Sequence, residues 1–522
     1  RVLISPAVGA MMESTTPAPA MTIHRRFVVL CLTLTASTLA ENKALVEKNR
    51  SWISAAEVRL DYLDEHELKV ASVFPSMVDL PLILTYRRKS DGGLCTKHEK
   101  ERLQTLYEAA KGSWAYVDIE EDVKKSDLKC KDPLFEGRVD LEESLRARNI
   151  RIIRSYHDFE GVPEDLFGRV NRLAGKGDVP KVAVTPQSLL DVIMLFQVEE
   201  QLAHLKEKII IGMGQWGIPT RILYKRLGSM LSFVSDTQAV LGHLGPREMS
   251  EVYHADRIDR NTHIYGVIGN PVYHTSSPKI HNRGFEAIRY NAVYVPFLVD
   301  SVRSFFKLAE LLKIRGFSVT IPHKQAVVPY LGKTSREVKQ IGSCNTVVRI
   351  QGMWKGINTD YYGFLSPIQD RIASGSIRSA LVVGSGGASR SIVYALINHG
   401  VKVTILNRTV ERAKKLSEET MSGYDSLENA HLYQGGVDLV VQTTSVGMGE
   451  LEGINPIPSF AFTGKELAYE LIYQPEETAF LQAAKRAGCE LILGKEMLIE
   501  QGKLQFEAFC GYHFPHWIPL NL

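Results

Sequence analysis

The 522-residue sequence predicts an α/β protein made of a (β/α)8 TIM barrel followed by a two-lobed α/β unit. Three observations predict this fold class. Strand-like apolar runs alternate with amphipathic helical stretches from residue 28 to residue 234. The alternation stops at residues 245–260, where the chain becomes polar and charged, and restarts with an apolar run at residues 264–268. A glycine-rich strand-turn-helix then occupies residues 379–395.

The first half contains eight predicted strands, at residues 28–34, 56–60, 82–86, 115–119, 150–155, 179–184, 209–213 and 230–234. Helices are predicted between them, for example at residues 99–110 and 186–204. Continuous apolar strands separated by helices are typical of a parallel sheet that is covered on both sides. Eight such units match a closed barrel.

The segment at residues 24–40 has two interpretations. Its basic start, apolar run and small residues resemble a secretory signal. We favour a buried first strand at residues 27–34, because the barrel would otherwise lack one strand. Residues 1–24 are predicted to be a disordered extension, with Met21 as a candidate start of translation. No apolar run is long enough for a membrane span.

The predicted domain organisation has five parts. They are the extension 1–24, the barrel 25–250, a linker 251–261, a substrate-binding lobe 262–365 plus 498–522, and a Rossmann nucleotide-binding lobe 366–497.

Composition excludes several classes of protein. The net charge is +3 with both signs spread along the chain, which argues against a nucleic-acid-binding surface. The six cysteines are far apart, which favours free thiols in a reducing compartment over disulfides or a zinc site. We therefore predict a cytoplasmic location (a plastid if the source is a plant), no metal, and small molecules as the only binding partners. Oligomeric state stays open.

The most informative residue of the first half is Lys181, in the apolar run 179–184. Burial disfavours a charged lysine, so the amine is predicted to be neutral and nucleophilic, able to form a Schiff base with a ketone. The alternative is a lysine that extends to water. The C-terminal ends of the strands of a barrel meet at one mouth. Several other polar residues also lie at predicted strand ends and would share this mouth with Lys181, which favours the first interpretation. These are Glu57, Arg59, Arg87, Asp118, Glu120, His157 and Arg221.

Residues 25–250 resemble the type I 3-dehydroquinate dehydratases. The resemblance rests on the motifs around residues 57–61, 85–93, 155–159, 180–181 and 212–221. It implies that Lys181 forms an imine with the substrate ketone and that His157 moves protons. It also implies that Glu57, Arg59 and Arg87 line the site, that Arg221 pairs with the substrate carboxylate, and that no metal is needed.

Two positions depart from the family pattern. Asp91 stands where the family has a glutamate that is expected to orient the histidine. Residues 242–246 replace the usual lid motif, so the lid contacts of the family cannot be transferred. Slower turnover, or closure of the site by another residue, is expected from these changes.

The second half carries a glycine-rich loop that follows a strand and opens a helix. The loop residues are Gly384, Gly386, Gly387 and Ala388. Backbone amides and the helix N-terminus there suit a pyrophosphate. The next strand ends in Asn407, Arg408 and Thr409, with Arg412 nearby, in place of an acidic residue. Positive charge suits a ribose 2′-phosphate, so this pattern predicts NADP(H) over NAD.

Two further clusters suit reduction of a carbonyl. Lys324 follows an apolar strand, and Asp360 lies in a turn-rich loop. A lysine paired with an aspartate suits proton delivery to a carbonyl that receives hydride.

Residues 262–522 resemble the shikimate dehydrogenases, with motif matches at residues 269–282, 319–324, 345–346, 358–360, 444–448, 473–475 and 494–501. The resemblance implies that Lys324 and Asp360 are the catalytic pair. Thr320, Asn345 and Gln501 would bind ring hydroxyls, Thr275 and Ser277 would bind the carboxylate, and Tyr473 would also contact the substrate. Gly494 would contact the cofactor.

The departures in this half leave the catalytic pair intact. Thr275 replaces a serine but keeps the hydroxyl, Ser318 replaces an asparagine, and residues 442–444 read Gln-Thr-Thr. Ser277 is present, and relatives that prefer quinate often have glycine there, which favours shikimate.

The two resemblances together predict successive reactions in aromatic amino acid biosynthesis. The barrel would convert 3-dehydroquinate to 3-dehydroshikimate, and the second half would reduce that product with NADPH to shikimate. Two alternatives stay open: a catabolic quinate/shikimate dehydrogenase that uses NAD, and a non-catalytic regulator that senses these metabolites.

Overall fold

The computed structural model describes residues 30–132, 137–236, 244–273 and 275–520. The predicted extension 1–24, the start of the predicted first strand, and the lid residues Gly242 and His243 lie outside the described residues. The eight barrel strands are β1 (Leu30–Leu34), β2 (Ala55–Arg59), β3 (Leu82–Thr85), β4 (Tyr116–Glu120), β5 (Arg151–Asp158), β6 (Val179–Val184), β7 (Ile209–Gly212) and β8 (Ser232–Val234).

These strands form a nearly closed parallel barrel, in the order β8-β1-β2-β3-β4-β5-β6-β7. The last gap is bridged just before β8. The Met230 N–H donates to the Lys208 carbonyl at 2.9 Å, and the Ser229 hydroxyl bonds both the N–H and the C=O of Ile210, at 2.8 and 3.1 Å. The predicted TIM barrel is confirmed.

Helices cover the outside of the barrel, and two of them begin with capping boxes that the sequence encodes. Thr38 caps the first helix together with Glu41, and Ser188 caps the sixth with Asp191, so the predicted helix 186–204 is shorter than expected. The helices are Leu39–Asn49, Glu65–Leu68, Glu99–Ala109, Leu141–Ala147, Leu166–Ala174, Leu189–Gln201 and Ile218–Ile222. A hairpin of Lys129–Lys131 and Arg138–Asp140 was not predicted.

The barrel interior has an apolar layer at the start of the strands, which we call the floor, and a polar layer nearer the mouth. Cys31, Ala55, Ile83, Ile153 and Val179 belong to one apolar cluster near the start of their strands. Side chains two and four residues further on point to the same side, because the strand repeat is two. Positions 57, 85, 118, 155 and 181 are therefore brought together above this floor.

The second half begins with a mixed six-stranded sheet. Its strand order is Ala292–Leu298, His263–Gly269, Gly316–Val319, Thr346–Ile350, Met353–Ile357 and Lys333–Thr334. The first three strands are parallel, whereas Thr346–Ile350 is antiparallel to both of its neighbours. Helices Ser277–Ala287, Val302–Leu312, Arg336–Ile341 and Thr359–Leu365 accompany this sheet.

The second sheet of this half is fully parallel and has the strand order 3-2-1-4-5-6 of a dinucleotide-binding fold. In spatial order the strands are Gly423–Ser426, Lys402–Asn407, Ser379–Val383, Leu439–Gln442, Leu467–Glu470 and Glu490–Ile492. Its helices are Gln369–Ala373, Gly387–Asn398, Val410–Thr420 and Ala479–Arg486. The predicted Rossmann-like architecture is confirmed.

The last helix, Gly494–Cys510, begins after the Rossmann-like sheet and packs against Thr359–Leu365 and Ser277–Ala287. It thereby returns the chain to the first sheet of this half. The polar junction 245–261 is also packed, because Met249, Tyr253, Ala255 and Ile258 within it are buried. The domain boundaries stay a prediction. Among the described residues, no helix combines the length and apolarity that a membrane crossing requires.

Candidate active sites

Lys181 lies inside the barrel, with only 4 % of its surface exposed. Its Nζ atom is 2.9 Å from Asp118 Oδ2, 3.5 Å from Glu57 Oε1 and 4.4 Å from the centre of the Phe233 ring. Both carboxylates lie within ion-pair distance of this amine and take the place of the water that burial removes. The neutral, nucleophilic amine stays a prediction.

Asp118 connects Lys181 to Arg87. Its carboxylate accepts from Arg87 Nη2 at 2.9 Å and from the Ser155 hydroxyl at 2.5 Å. Burial opposes ionisation of Asp118, but the positive charges of Arg87 and Lys181 outweigh it and hold the pKa well below the usual range. Asp118 is consequently a fixed anion between two cations.

Arg87 continues this network to the outer side of the barrel mouth. Its Nη1 donates to Glu120 at 3.0 Å, and Glu120 in turn accepts from the fully buried Arg102 at 2.9 Å. Arg102 was not predicted, because it lies on helix Glu99–Ala109 and carries no strand-end signal. Alternating charges hold Arg87 in one orientation.

His157 lies next to Arg87, with 3.5 Å between Nδ1 and Arg87 Nη1. Burial and the charges of Arg87 and Lys181 lower the pKa of His157 well below its ordinary value. The imidazole is therefore neutral and can act as a base. Asp91 bonds Arg88 and Ser90 at 2.8 Å, and no bond from Asp91 to His157 exists among the described residues.

Glu57 and Arg59 are held by separate partners. Glu57 accepts from Thr85 Oγ1 at 2.9 Å and from Thr33 Oγ1 at 3.3 Å. Arg59 makes a two-point ion pair with Asp61, at 2.9 and 2.6 Å. Both residues are on β2, so the structure places them at the predicted end of the barrel.

Arg221 is the one predicted arginine of the barrel that meets no carboxylate within ion-pair distance among the described residues. It lies on helix Ile218–Ile222 and is 4 % exposed. Its Nη1 donates weakly to the Phe233 carbonyl at 3.4 Å, and its Nε has no hydrogen-bond partner. Burial lowers the pKa of its guanidinium to about 10. Such a group is suited to an incoming anion.

The second site is centred on Lys324 and Asp360. Lys324 Nζ is 2.5 Å from Asp360 Oδ2, and Asn345 Nδ2 donates to Asp360 Oδ1 at 2.8 Å. Asn345 Nδ2 also reaches Gln501 Oε1 at 3.4 Å. Residues from four separate segments therefore lie together, with Lys324 and Asn345 on the Asp360 carboxylate and Gln501 next to Asn345. Thr320 lies next to Gly269, four residues before Lys324 in the chain, and no side-chain hydrogen bond joins it to this group among the described residues.

Hydroxyl groups form a second cluster in this half. Thr275 Oγ1 donates to Ser277 Oγ at 3.0 Å and accepts from the Ser277 N–H at 3.2 Å. Tyr473 is largely buried, and its hydroxyl interacts with Thr275 and with the backbone of Ser276. Thr275, Ser277 and Tyr473 come from two different lobes and present oxygen and N–H groups suited to a carboxylate.

The glycine-rich loop brings the backbone close to its neighbours. Gly384 has φ +117°, and a Cβ there would lie 2.5 Å from Thr443 Oγ1, so only glycine fits. A Cβ at Gly386 would meet nothing within 4 Å, which leaves open space at the N-terminus of helix Gly387–Asn398. Ala388 lies in the first turn of that helix. This loop fits a pyrophosphate.

The strand Lys402–Asn407 ends beside this loop. Asn407 Nδ2 donates to the Thr409 carbonyl at 2.8 Å, which fixes the turn. Arg408 and Arg412 are exposed and have no ion-pair partner among the described residues, so both charges are available to a phosphate. Gly494, the first residue of the last helix, packs closely against the backbone of Ile472, because an added Cβ would lie 2.3 Å from the Ile472 carbonyl oxygen.

Comparisons with known proteins identify the family of each half. Residues 30–260 match the family model of the type I 3-dehydroquinases. Residues 267–347 match the shikimate dehydrogenase substrate-binding domain, and residues 368–448 match the shikimate/quinate 5-dehydrogenase model. A chloroplastic bifunctional 3-dehydroquinate dehydratase/shikimate dehydrogenase from Arabidopsis thaliana is 32 % identical, over 93 % of this chain and 83 % of the relative. The chain belongs to this bifunctional family. Its halves are a lyase and an oxidoreductase of the shikimate pathway.

Other relatives of this bifunctional dehydratase/dehydrogenase match one half. A shikimate dehydrogenase (NADP(+)) from Caldanaerobacter subterraneus is 38 % identical, over 49 % of this chain and 95 % of the relative. A solved shikimate dehydrogenase from Aquifex aeolicus is 35 % identical and covers 49 % of this chain and 96 % of its own, with a TM-score of 0.46.

Several residues of the bifunctional enzyme's sites were missed by sequence reasoning. Ser155, Thr85 and Phe233 surround the carboxylates or the amine of the barrel, and strict alternation along the strands would have found them. Gln505 and Thr359 support Asn345 in the second half. No local signal marks Gln505, which lies far along the chain on the last helix.

Proposed function

We propose that the barrel and the second half of this chain catalyse successive steps: dehydration of 3-dehydroquinate to 3-dehydroshikimate, then reduction to shikimate with NADPH. The observation that carries the proposal is the presence of two complete residue sets. One lysine lies among carboxylates beside a neutral histidine, and another lysine is paired with an aspartate next to a nucleotide-binding fold.

In the barrel, Lys181 is the proposed nucleophile. Its amine attacks the substrate ketone, and the resulting carbinolamine expels water to form an imine. His157 is the candidate proton carrier, because burial and the charge of Arg87 keep it neutral: it takes the proton that the attacking nitrogen loses and delivers it to the hydroxyl that leaves as water. His157 then removes the proton next to the imine carbon and returns a proton to the leaving hydroxyl. Arg221 pairs with the substrate carboxylate.

In the second half, Lys324 is the proposed proton donor to the carbonyl oxygen. Asp360 holds its ammonium at 2.5 Å and is itself held by Asn345. Asn345, Gln501 and Thr320 are the proposed ligands of the ring hydroxyls. Thr275, Ser277 and Tyr473 bind the carboxylate and thereby orient the ring.

NADP(H) is the proposed cofactor, and it supplies the hydride when bound. The open space at Gly386 and the close approach at Gly384 suit a pyrophosphate. Arg408 and Arg412, which have no carboxylate partner among the described residues, suit a 2′-phosphate. The name of the Caldanaerobacter relative specifies NADP(+). We propose the cytoplasm as the location, although the Arabidopsis relative is named chloroplastic.

The test follows NADPH oxidation with 3-dehydroquinate as the only added substrate. The wild-type chain is expected to consume one NADPH per dehydroquinate. Lys181→Met is expected to consume none until 3-dehydroshikimate is added, when the rate returns. Asp360→Asn is expected to accumulate dehydroshikimate without using NADPH. Equal rates with NADH, or activity of Lys181→Met on dehydroquinate, would contradict the proposal.

A further inference from the structure

A loop at the barrel mouth contacts the second half of the chain directly. This loop, residues 213–217, follows β7 and leads into helix Ile218–Ile222. The Tyr273 hydroxyl donates to the Gln215 carbonyl at 2.5 Å. Trp216 packs against the apolar cluster of the second half that includes Val272 and Phe285.

On the barrel side, the Gln215 carbonyl also accepts a hydrogen bond from the first residue of the helix that carries Arg221. The Ile218 N–H donates to the Gln215 carbonyl at 3.2 Å, so this oxygen accepts one bond from its own helix and one from Tyr273. Thr220 Oγ1 ties the loop to β7, since it accepts from the Gly212 N–H at 2.9 Å. Helix Ile218–Ile222 also packs against the strand Ala292–Leu298 of the second half. A shift of Tyr273 would therefore move the loop and the start of the Arg221 helix.

On the other side, Tyr273 precedes the proposed carboxylate-binding hydroxyls by a short stretch of chain. Thr275 is two residues later, and Thr275 and Ser277 are bonded to one another at 3.0 Å. A carboxylate bound between them would restrict the chain at Thr275, two positions after Tyr273 in the sequence. Tyr273 is thus joined covalently to one anion site and by a hydrogen bond to the loop of the other.

We propose that Tyr273 is a positioning residue for both active sites, and that it couples them so that a ligand in the barrel tightens shikimate binding in the second half. The inference rests on the proposed function, in which Arg221, Thr275 and Ser277 bind substrate carboxylates. Ordering of a shared segment by the first ligand lowers the entropic cost for the second. The coupling is reciprocal. One hydrogen bond of ordinary net strength corresponds to an effect of about 2- to 10-fold.

The experiment compares shikimate binding with the barrel empty and with the barrel permanently occupied. The full chain is treated with borohydride and 3-dehydroquinate, dialysed, and titrated with shikimate without nucleotide by isothermal calorimetry. Tyr273→Phe removes only the bridging hydroxyl. Tyr265→Phe is the matched control, because its hydroxyl donates to the Phe509 carbonyl at 2.9 Å within the second half.

The trapped wild-type chain and the trapped Tyr265→Phe chain are expected to bind shikimate about 2- to 10-fold more tightly than their untreated forms. Tyr273→Phe is expected to show the same Kd in both forms. Equal Kd values in the wild type, or an unchanged ratio in Tyr273→Phe, would overturn the coupling.

Failure of the proposed Lys181 imine has a different signature, namely turnover of dehydroquinate without a borohydride adduct. The coupling is then still measured from the initial rate of dehydroquinate dehydration, without nucleotide, with and without saturating shikimate. The KM for dehydroquinate is expected to fall in the wild type and to stay constant in Tyr273→Phe. A KM that shikimate leaves unchanged or raises in the wild type would refute the coupling.

Discussion

Replacing Arg221 by methionine is expected to stabilise the protein while it impairs dehydration. Arg221 is buried, its Nε has no hydrogen-bond partner, and no carboxylate pairs with it among the described residues. Burial lowers its pKa from 12.5 to about 10. This decrease corresponds to a cost of about 3 kcal/mol for keeping the guanidinium charged in the folded protein. Methionine has a similar length and carries no charge, so the cost disappears.

When the substrate binds, its carboxylate is expected to pair with the Arg221 guanidinium and so to offset the cost of burying that charge. Loss of a buried ion pair of about 3 kcal/mol would lower kcat/KM for dehydroquinate about 100-fold. The melting temperature is measured by calorimetry, and a gain of up to about 3 kcal/mol would raise it by several degrees. Dehydration is followed by the absorbance of the conjugated product, and reduction of 3-dehydroshikimate in the same chain serves as the internal reference.

Arg154→Met is the matched control. Arg154 is equally buried, but it is paired with Glu142 and donates to the carbonyls of Glu120 and Lys176. Its removal leaves Glu142 with only the more distant Arg146, at 3.8 Å, and breaks the two bonds to backbone carbonyls, so it is expected to lower the melting temperature. If Arg221→Met were destabilised like Arg154→Met and kept its kcat/KM, Arg221 would be a structural residue and the argument would fail.

Four further predictions concern single residues. Lys324→Met is expected to lower kcat for dehydroshikimate reduction at least about 100-fold, measured by NADPH oxidation, because the proton donor is lost; a drop confined to KM would contradict this role. Arg408→Gln is expected to raise the KM for NADPH about tenfold or more with no change for NADH, because one charge-assisted bond to the 2′-phosphate is lost; equal changes for both nucleotides would refute it. Burial raises the pKa of Glu470 to about 7 from an ordinary 4.5. The folded state then holds a proton that the unfolded state releases, so stability from this group falls as the pH rises from about 4.5 to about 7. The melting temperature of the wild type relative to Glu470→Gln should decrease over that range, and a constant difference would contradict the assignment. Asp91→Asn is expected to leave the pH profile of dehydration unchanged, since Asp91 bonds Arg88; a shifted acidic limb would show that it does orient His157.

The fold was predictable because each half repeats a strong local pattern. The apolar runs of the first half fix its eight strands, and the glycine-rich turn fixes the start of the Rossmann-like sheet. The hairpin of Lys129–Lys131 and Arg138–Asp140 was missed because each strand has only three residues, two of them charged. The ends of helix Leu189–Gln201 were predicted too far out, since the Ser188 cap was not considered.

The candidate sites were predictable as residue types at strand ends, but not as a network. Lys181 shows the difference. Its burial was predicted from the surrounding valines, whereas its ion pair with Asp118 depends on a residue 63 positions away. The contact of Asp91 with Arg88 is another case, because the side chain of aspartate is shorter than that of the family's glutamate and bonds a residue close to it in the chain. Long-range partners and side-chain reach are set by packing, which local sequence does not encode.

The most direct test of the account is to locate the covalent intermediate. The chain is reduced with borohydride in the presence of 3-dehydroquinate, digested, and analysed by mass spectrometry. We predict that the mass increase maps to Lys181, requires dehydroquinate, and is absent from Lys208, the other buried lysine of the barrel. Normal turnover without an adduct, or an adduct on another lysine, would contradict the central claim that Lys181 is the nucleophile.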